Sequence, residues 1–197
     1  PSLNVYACWT KLPIAMSNRH IHLTKDDLNK LFGDGYELTK KKNLTQPGQF
    51  AAEEKVDIIG PKGTLRGVRV LGPVRAMTQI EISVSDAFVL GVKPMVKNSG
   101  DLVGTPGAKI VGTKGEIQID QGVIVAARHI HMHTDEAKEY GLEDKDVVRV
   151  KVSGVRGLVF ENVLVRVGER HKLEMHVDIE EGNAAGIKNG DIVEIIK

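Results

Sequence analysis

The sequence predicts a mainly-β protein built from two related β-barrels with short capping helices. Glycine accounts for 21 of 197 residues, and bursts of β-branched residues alternate with it, as in "KVDIIGPKGTLRGVRVLG" and "AKIVGTKGEIQID". Such bursts are typical of short strands joined by tight turns. A weak internal repeat also aligns the segment around Glu81 with the segment around His176. Two copies of a set of short strands favour closed barrels, because closure removes exposed strand edges.

Helical patterns are confined to two short stretches. The first, "TKDDLNKLFG", begins at Thr24, has an acid three residues later and ends at Gly33. The second, "TDEAKEYG", begins at Thr134 and ends at Gly141 in the same style. Both read as capped helices of two turns. Each follows a copy of Arg-His-Ile-His, so each copy is predicted to be a histidine-bearing strand that runs into a short helix.

The overall composition excludes several classes of partner. Lys and Arg total 27 against 26 Asp and Glu, so no net field attracts nucleic acid or an anionic membrane. The longest apolar runs are too short to span a bilayer. The single cysteine, Cys8, suits a reducing compartment and has no basic neighbour that would make it a nucleophile. We therefore expect a soluble, cytoplasmic protein with no nucleic-acid or membrane partner.

The repeated "RHIH" motif is the strongest chemical signal in the chain. Residues i and i+2 of a strand point to the same face, about 6.6–6.8 Å apart along the backbone, so their imidazoles can converge on one metal. The two candidate pairs are His20 with His22 and His129 with His131. A zinc ion that keeps an open position needs a third protein ligand. The internal repeat offers Glu81 to the first pair and His176 to the second.

Other polar residues near these motifs are predicted to have structural roles. His133 is expected to precede a helix cap rather than bind metal, and His171 lies in a polar turn where solvent would surround it. Acids in the first turn of a helix usually interact with the helix dipole. The acids interpreted in this way are Asp26, Asp27, Asp135 and Glu136.

Four segments together resemble the PduL-type phosphotransacylases, the phosphate propanoyltransferases of bacterial acyl-CoA metabolism. They are "PIAMSNRHIHL", "LGPVRAMTQIEIS", "VKNSGD" and "ARHIHM", and the similarity runs from about Leu12 to Ile196. The resemblance implies two β-barrels with interleaved chain segments and two zinc ions in a cleft between them. One barrel would comprise residues 9–18 and 127–197. The other would comprise 19–126, with a helical or loop insertion near 33–53.

The resemblance also implies an activity and a set of site residues. The reaction is the reversible transfer of a propanoyl or acetyl group between coenzyme A and inorganic phosphate. One zinc ion matches His20, His22 and Glu81, and the other matches His129, His131 and His176. The phosphate-binding arginine matches Arg75. The positions that match coenzyme A contacts are Ser17, Gln49, Phe88 and Ser99.

We expect a homodimer, and the resemblance bears on the location of the protein. Relatives that act in propanediol degradation inside bacterial microcompartments often carry an amphipathic N-terminal helix. Here "PSLNVYACWTK" has no helical stripe. The expected location is the cytoplasm, with a microcompartment lumen as the alternative.

Two other functions remain open at this point. A cupin-like β-barrel metalloenzyme also uses His-x-His with a later Glu and His, but its acid would follow within a few residues, where this chain is predicted to start a helix. A noncatalytic metal-binding module would contain the same ligands. Metal identity and turnover of acyl-CoA distinguish the three functions.

Overall fold

The computed structural model describes residues 11–196 of the chain. Cys8 and the predicted barrel boundary at residue 9 lie outside the described residues. The first strands in chain order are β1 (Lys11–Ser17), β2 (His20–His22), β3 (Lys40–Asn43), β4 (Phe50–Ile59), β5 (Thr64–Gly72), β6 (Gln79–Glu81), β7 (Val96–Lys97) and β8 (Ala108–Val111). The remaining strands are β9 (Glu116–Ile119), β10 (Val123–Ala126), β11 (His129–Met132), β12 (Val147–Val152), β13 (Leu158–Val167), β14 (Glu174–Asp178) and β15 (Ile192–Ile196). The helices are α1 (Lys25–Phe32), α2 (Val84–Leu90), α3 (Thr134–Tyr140) and α4 (Ile179–Ala185).

The mainly-β class with short helices is confirmed, and the chain forms two compact units. Among the described residues, the central unit is Asn18–Ala126, and the terminal unit combines residues 11–17 with residues 127–196. Strand β1 therefore belongs to the terminal unit although it leads directly into β2 of the central unit. In the same way β10 belongs to the central unit and leads into β11 of the terminal unit. The chain therefore passes from one unit to the other twice, once after β1 and once after β10.

The terminal unit is a closed barrel with the strand order β1-β14-β11-β13-β12-β15. Antiparallel pairing of β1 with β15 closes it. The inward-facing side chains of these strands are β-branched or long and apolar, and they fill the barrel without access to solvent. Its most deeply buried side chains include Ile14, Ile130, Val150, Val163, Val165 and Met175.

The central unit is a sheet of nine strands with the order β7-β10-β6-β2-β5-β4-β8-β9, in which β3 pairs with β4. Its core includes Ile21, Leu31, Ile58, Val70, Ile80 and Leu90. The six strands from β10 to β8 pair in the same parallel and antiparallel sense as the six barrel strands from β1 to β15. The internal repeat of the sequence therefore corresponds to a repeated strand topology.

Each strand that carries a candidate ligand is followed by a short helix. Helix α1 starts after Thr24, whose hydroxyl accepts a hydrogen bond from the Asp27 amide at 3.1 Å, as predicted. Helix α3 differs by one residue from the prediction, because its N-cap is His133 rather than Thr134. The Nδ1 atom of His133 accepts a hydrogen bond from the Asp135 amide at 3.2 Å. His133 is thus a capping residue.

Two helices were not predicted. Helices α2 and α4 begin with capping boxes, formed by Ser83 with Asp86 and by Asp178 with Glu181. The segment 33–53 contains β3 and the start of β4. None of the helices within residues 11–196 has the length and apolar character that a membrane crossing requires.

Candidate metal centres and substrate-binding residues

The first candidate site lies on adjacent antiparallel strands of the central unit. In the β2–β6 register His20 faces Glu81 and His22 faces Gln79. The Nε2 atoms of His20 and His22 lie 3.4 Å and 3.9 Å from the two oxygens of the Glu81 carboxylate. The three residues each offer one ligand atom, and these atoms all lie within 4.8 Å of one another. The structure therefore brings together the three residues that the sequence pattern selected in this half.

Burial and neighbouring charges set the protonation of this group. Burial, His20 and Arg75 lower the pKa of His22 to about 3, so this imidazole is neutral and keeps a lone pair. Burial alone would lower the pKa of His20. The charge and the hydrogen bond of the nearby Glu81 carboxylate have the opposite effect, and the net result is a raised pKa. The Nδ1 atom of His20 lies 2.8 Å from the Asn18 carbonyl. A proton on Nδ1 donates to that carbonyl and leaves Nε2 directed at Glu81.

The second candidate site repeats this arrangement in the terminal unit. In the β11–β14 register His129 faces His176 and His131 faces Glu174. The ring centroids of the three histidines are 4.7–5.3 Å apart. Their ligand atoms also lie within 4.8 Å of one another. The Nδ1 atom of His129 lies 2.8 Å from the Ala127 carbonyl. This contact matches the one between His20 Nδ1 and the Asn18 carbonyl.

Two features of the terminal group fit a bound cation. The Nε2 atoms of His129 and His131 lie only 3.1 Å apart. Burial and the neighbouring histidines lower the pKa of His131 to about 2, so this imidazole is neutral and has one nitrogen lone pair. The Nδ1 atom of His131 is buried with no hydrogen-bond partner among the described residues. Three neutral imidazoles, or two with a carboxylate, are donor sets that zinc accepts in tetrahedral sites with an open position.

Arg75 lies beside the central group, although not in the way that its sequence spacing suggested. An even spacing to Glu81 along one strand would place both side chains on one face, but β6 begins only at Gln79. Arg75 instead lies in the connection before β6, where its amide donates to the Leu23 carbonyl at 2.8 Å. The positive charge of its guanidinium contributes to the lowered pKa of His22.

A hydrogen-bond network joins Arg75 to the carboxylate of Glu81. Nη1 of Arg75 donates to Ser99 Oγ at 3.4 Å, and Gln79 Nε2 donates to the same oxygen at 2.8 Å. Gln79 Nε2 also donates to Glu81 Oε1 at 2.6 Å. Ser99, one of the four residues proposed to contact coenzyme A, is thus adjacent to Arg75 in the central unit.

The other three proposed coenzyme A contacts are distributed over the two units. Ser17 ends β1 in the terminal unit and is half-buried. Gln49 precedes β4 in the central unit, and its amide donates to the Gln46 carbonyl at 3.1 Å. Phe88 projects from α2 with 70% of its surface exposed, which is unusual for a phenylalanine.

Three residues near the two groups were missed by sequence reasoning. The prediction that solvent surrounds His171 is wrong, because it is half-buried with its ring centroid 4.6 Å from that of His131. The buried carboxylate of Glu174 lies 2.7 Å from His176 Nε2. The third residue is Gln79. Gln79 and Glu174 each precede a candidate ligand, Glu81 or His176, by two residues on the same strand, and that spacing was available in the sequence.

Comparison with known proteins shows the relationship of the whole chain. The family model described as phosphate propanoyltransferase matches residues 13–188. A phosphate propanoyltransferase of Thermotoga maritima is 55% identical over an alignment that covers 98% of this chain and 94% of that protein. One from Rhodopseudomonas palustris is 52% identical, with 95% of this chain and 83% of that protein covered. One from Clostridioides difficile is 48% identical, with coverages of 94% and 89%.

Proposed function

This chain belongs to the phosphate propanoyltransferase family, and we propose that it is a zinc-dependent enzyme that transfers an acyl group reversibly between coenzyme A and inorganic phosphate. The observation that carries this proposal is the pair of register-matched ligand groups in a chain that matches the family along most of its length. Acetyl-CoA and propanoyl-CoA are the proposed acyl donors. We further propose a homodimer that acts in the cytoplasm or in a microcompartment lumen.

Each ligand group is proposed to hold one zinc ion. His20, His22 and Glu81 form one set, and the imidazoles of the terminal unit form the other. Zinc bound at such sites acts as a Lewis acid, which polarises a thioester carbonyl or stabilises a departing thiolate. Burial holds two of the five imidazoles, those of His22 and His131, in the neutral form that can bind zinc.

Arg75 is the proposed phosphate ligand. A guanidinium presents paired N–H donors that match two oxygens of phosphate, so it fixes orientation as well as charge. Its hydrogen bond to Ser99 limits its freedom before substrate arrives. Gln49, Phe88 and Ser17 are proposed, with Ser99, to contact coenzyme A.

The proposed reaction is a direct displacement in a ternary complex. A phosphate oxygen attacks the thioester carbonyl carbon and forms the new C–O bond. The C–S bond then breaks, and coenzyme A leaves as its thiolate, which takes up a proton. Holding both reactants in one orientation removes much of the entropic barrier. No protein nucleophile is needed in this scheme.

Metal analysis combined with a thiol-release assay tests the proposal. We expect two zinc ions per chain and release of coenzyme A from propanoyl- or acetyl-CoA that depends on phosphate. A chelator should abolish turnover, and added zinc should restore it. Release that is independent of phosphate would indicate a hydrolase. Zinc binding without turnover would indicate a noncatalytic module, and full activity in verified metal-free protein would contradict zinc dependence.

A further inference from the structure

Gln79 occupies a position that links a candidate metal ligand to a candidate substrate contact. It is 3% exposed, and both the oxygen and the nitrogen of its side-chain amide form hydrogen bonds. Oε1 accepts a hydrogen bond from the Gly100 amide at 2.8 Å, and Nε2 donates to Glu81 and to Ser99. Because a backbone amide can only donate, Oε1 must face Gly100, and the two N–H bonds must face the other two residues.

The terminal unit carries a matched residue at the same register position. Gln79 faces His22 across β2–β6, and Glu174 faces His131 across β11–β14. Glu174 is 7% exposed and lies 2.7 Å from the Nε2 atom of His176, the third member of its group. In both units the residue two positions before the third ligand therefore contacts that ligand.

The chemistry of each matched residue complements the ligand it contacts. Glu81 is a carboxylate that only accepts hydrogen bonds, and Gln79 supplies an N–H donor. With its proton on Nε2, His176 donates to the acceptor carboxylate of Glu174 and keeps the Nδ1 lone pair for a metal. Such contacts fix the rotamer of a carboxylate ligand and the tautomer of an imidazole ligand. Exchanging the two side chains would place two acceptors together in the central unit.

We propose that Gln79 and Glu174 are positioning residues, one for each metal group. Gln79 orients Glu81 toward His20 and His22 and ties it to the segment that carries Ser99. Glu174 orients His176 in the terminal group. This inference rests on the proposed function, because it assumes that the two groups bind zinc. Gln79 has the additional effect of coupling the central group to the Gly100 backbone.

The test measures zinc affinity of the central group alone. The full-length variant with His129→Ala and His131→Ala keeps only His20, His22 and Glu81 as a complete group. In this background Gln79→Met removes all three hydrogen bonds of Gln79 at similar side-chain volume. Gln79→Glu keeps the acceptor for Gly100 but loses the donor to Glu81. Zinc dissociation constants come from chelator competition, and cobalt substitution gives a visible spectrum that reports ligand geometry.

We expect both Gln79 variants to bind zinc about 10- to 100-fold more weakly and to change the cobalt spectrum. Hydrogen exchange at the Gly100 amide should speed up in Gln79→Met and stay slow in Gln79→Glu. If Gln79 only supported the fold, zinc affinity and hydrogen exchange at the Gly100 amide would change together in each variant. Glu174→Gln is the control in this background and should leave zinc affinity unchanged. In the reciprocal background, His20→Ala with His22→Ala, Glu174→Gln should weaken the terminal group.

Unchanged zinc affinity and an unchanged cobalt spectrum in Gln79→Met would overturn this inference while leaving the proposed function intact. If the protein with both groups unaltered binds no zinc, the metal centres of the proposed function fail, and this inference fails with them. Circular dichroism and thermal unfolding of the metal-free variants show whether each one folds. If Gln79→Met does not fold, the zinc affinity of Gln79→Glu becomes the deciding measurement, and a wild-type value there would equally overturn the inference.

Discussion

Arg19 Nη2 lies 3.2 Å from Asp86 Oδ1 in the central unit. Asp86 is also the third residue of α2, where its carboxylate accepts a hydrogen bond from the Ser83 amide. The repeat reproduces this relationship in the terminal unit, where Arg128 Nη1 lies 3.3 Å from Glu181 Oε1, the corresponding capping acid of α4. The arginine of each "RHIH" motif thus contacts the helix that follows the strand of Glu81 or of His176.

We predict that Asp86→Ala lowers the free energy of unfolding by about 1–3 kcal/mol. The change removes a capping interaction and leaves a buried amide without its partner. Arg19→Ala should cost less, because its side chain is 46% exposed and solvent screens the pair. Denaturant unfolding of the single and double variants measures the coupling between the two residues.

The control for this prediction is Glu53→Ala. Glu53 pairs with Lys41 at 2.9 Å, but both side chains are about half exposed, at 50% and 46%. Its loss should change the free energy of unfolding by less than about 0.5 kcal/mol. An Asp86→Ala protein as stable as Glu53→Ala would show that the capping interaction contributes little.

The sequence predicted those features that depend on residues close together in the chain. Helix α1 was recognised because Thr24 and Gly33 bracket one short pattern. Glu81 and His176, which are distant from the histidine pairs in sequence, were selected as candidate ligands because the repeat aligned them. Helices α2 and α4 were missed because their capping boxes follow a strand directly. The sequence pattern of each short helix therefore overlaps the alternating apolar and polar pattern of the strand before it.

The residues that were missed depend on strand pairing and on turn geometry. Gln79 contacts Ser99 and the Gly100 amide across a distance in sequence that only the folded sheet closes. His171 reaches His131 because its turn is anchored by the Gly168 amide, which donates to the Met132 carbonyl at 3.1 Å. Periodicity alone carries no information on such contacts.

The two metal groups should lose zinc independently. We predict that His129→Ala or His176→Ala lowers zinc content from two equivalents to about one, because each change leaves two ligands in the terminal group. Elemental analysis of the purified variants after dialysis provides the measurement. His133→Ala is the control and should keep both equivalents, since His133 caps α3. Two full equivalents in both ligand variants would transfer the assignment to His171.

Zinc binding at the central group should weaken as the pH falls. The pKa of His20 is raised above its ordinary value of 6.5, because the Glu81 carboxylate outweighs burial. Below this raised pKa a proton must leave before zinc can bind, so affinity should fall by about tenfold per pH unit. The experiment is chelator competition between pH 8 and pH 6 in the variant that lacks His129 and His131. An affinity that does not change over this range would contradict the raised pKa.

Arg75 should affect the phosphate part of the reaction without affecting zinc content. Its guanidinium lies beside the central group and donates to Ser99, but it is not a metal ligand. We predict that Arg75→Lys keeps both zinc ions, raises the KM for phosphate and lowers kcat, because lysine keeps the charge but not the paired donors. Arg75→Ala should lose more, about 2–4 kcal/mol of transition-state stabilisation.

The repeat supplies the matched control for Arg75. Arg170 is the aligned residue of the terminal unit and lies exposed in the turn before β14. Arg170→Ala should therefore have a milder effect on phosphate kinetics than Arg75→Ala. Initial rates at varied phosphate, with acyl-CoA saturating, separate KM from kcat for each variant. If Arg75→Ala has the phosphate kinetics of the wild type, another cation must hold phosphate and the assignment of Arg75 is wrong.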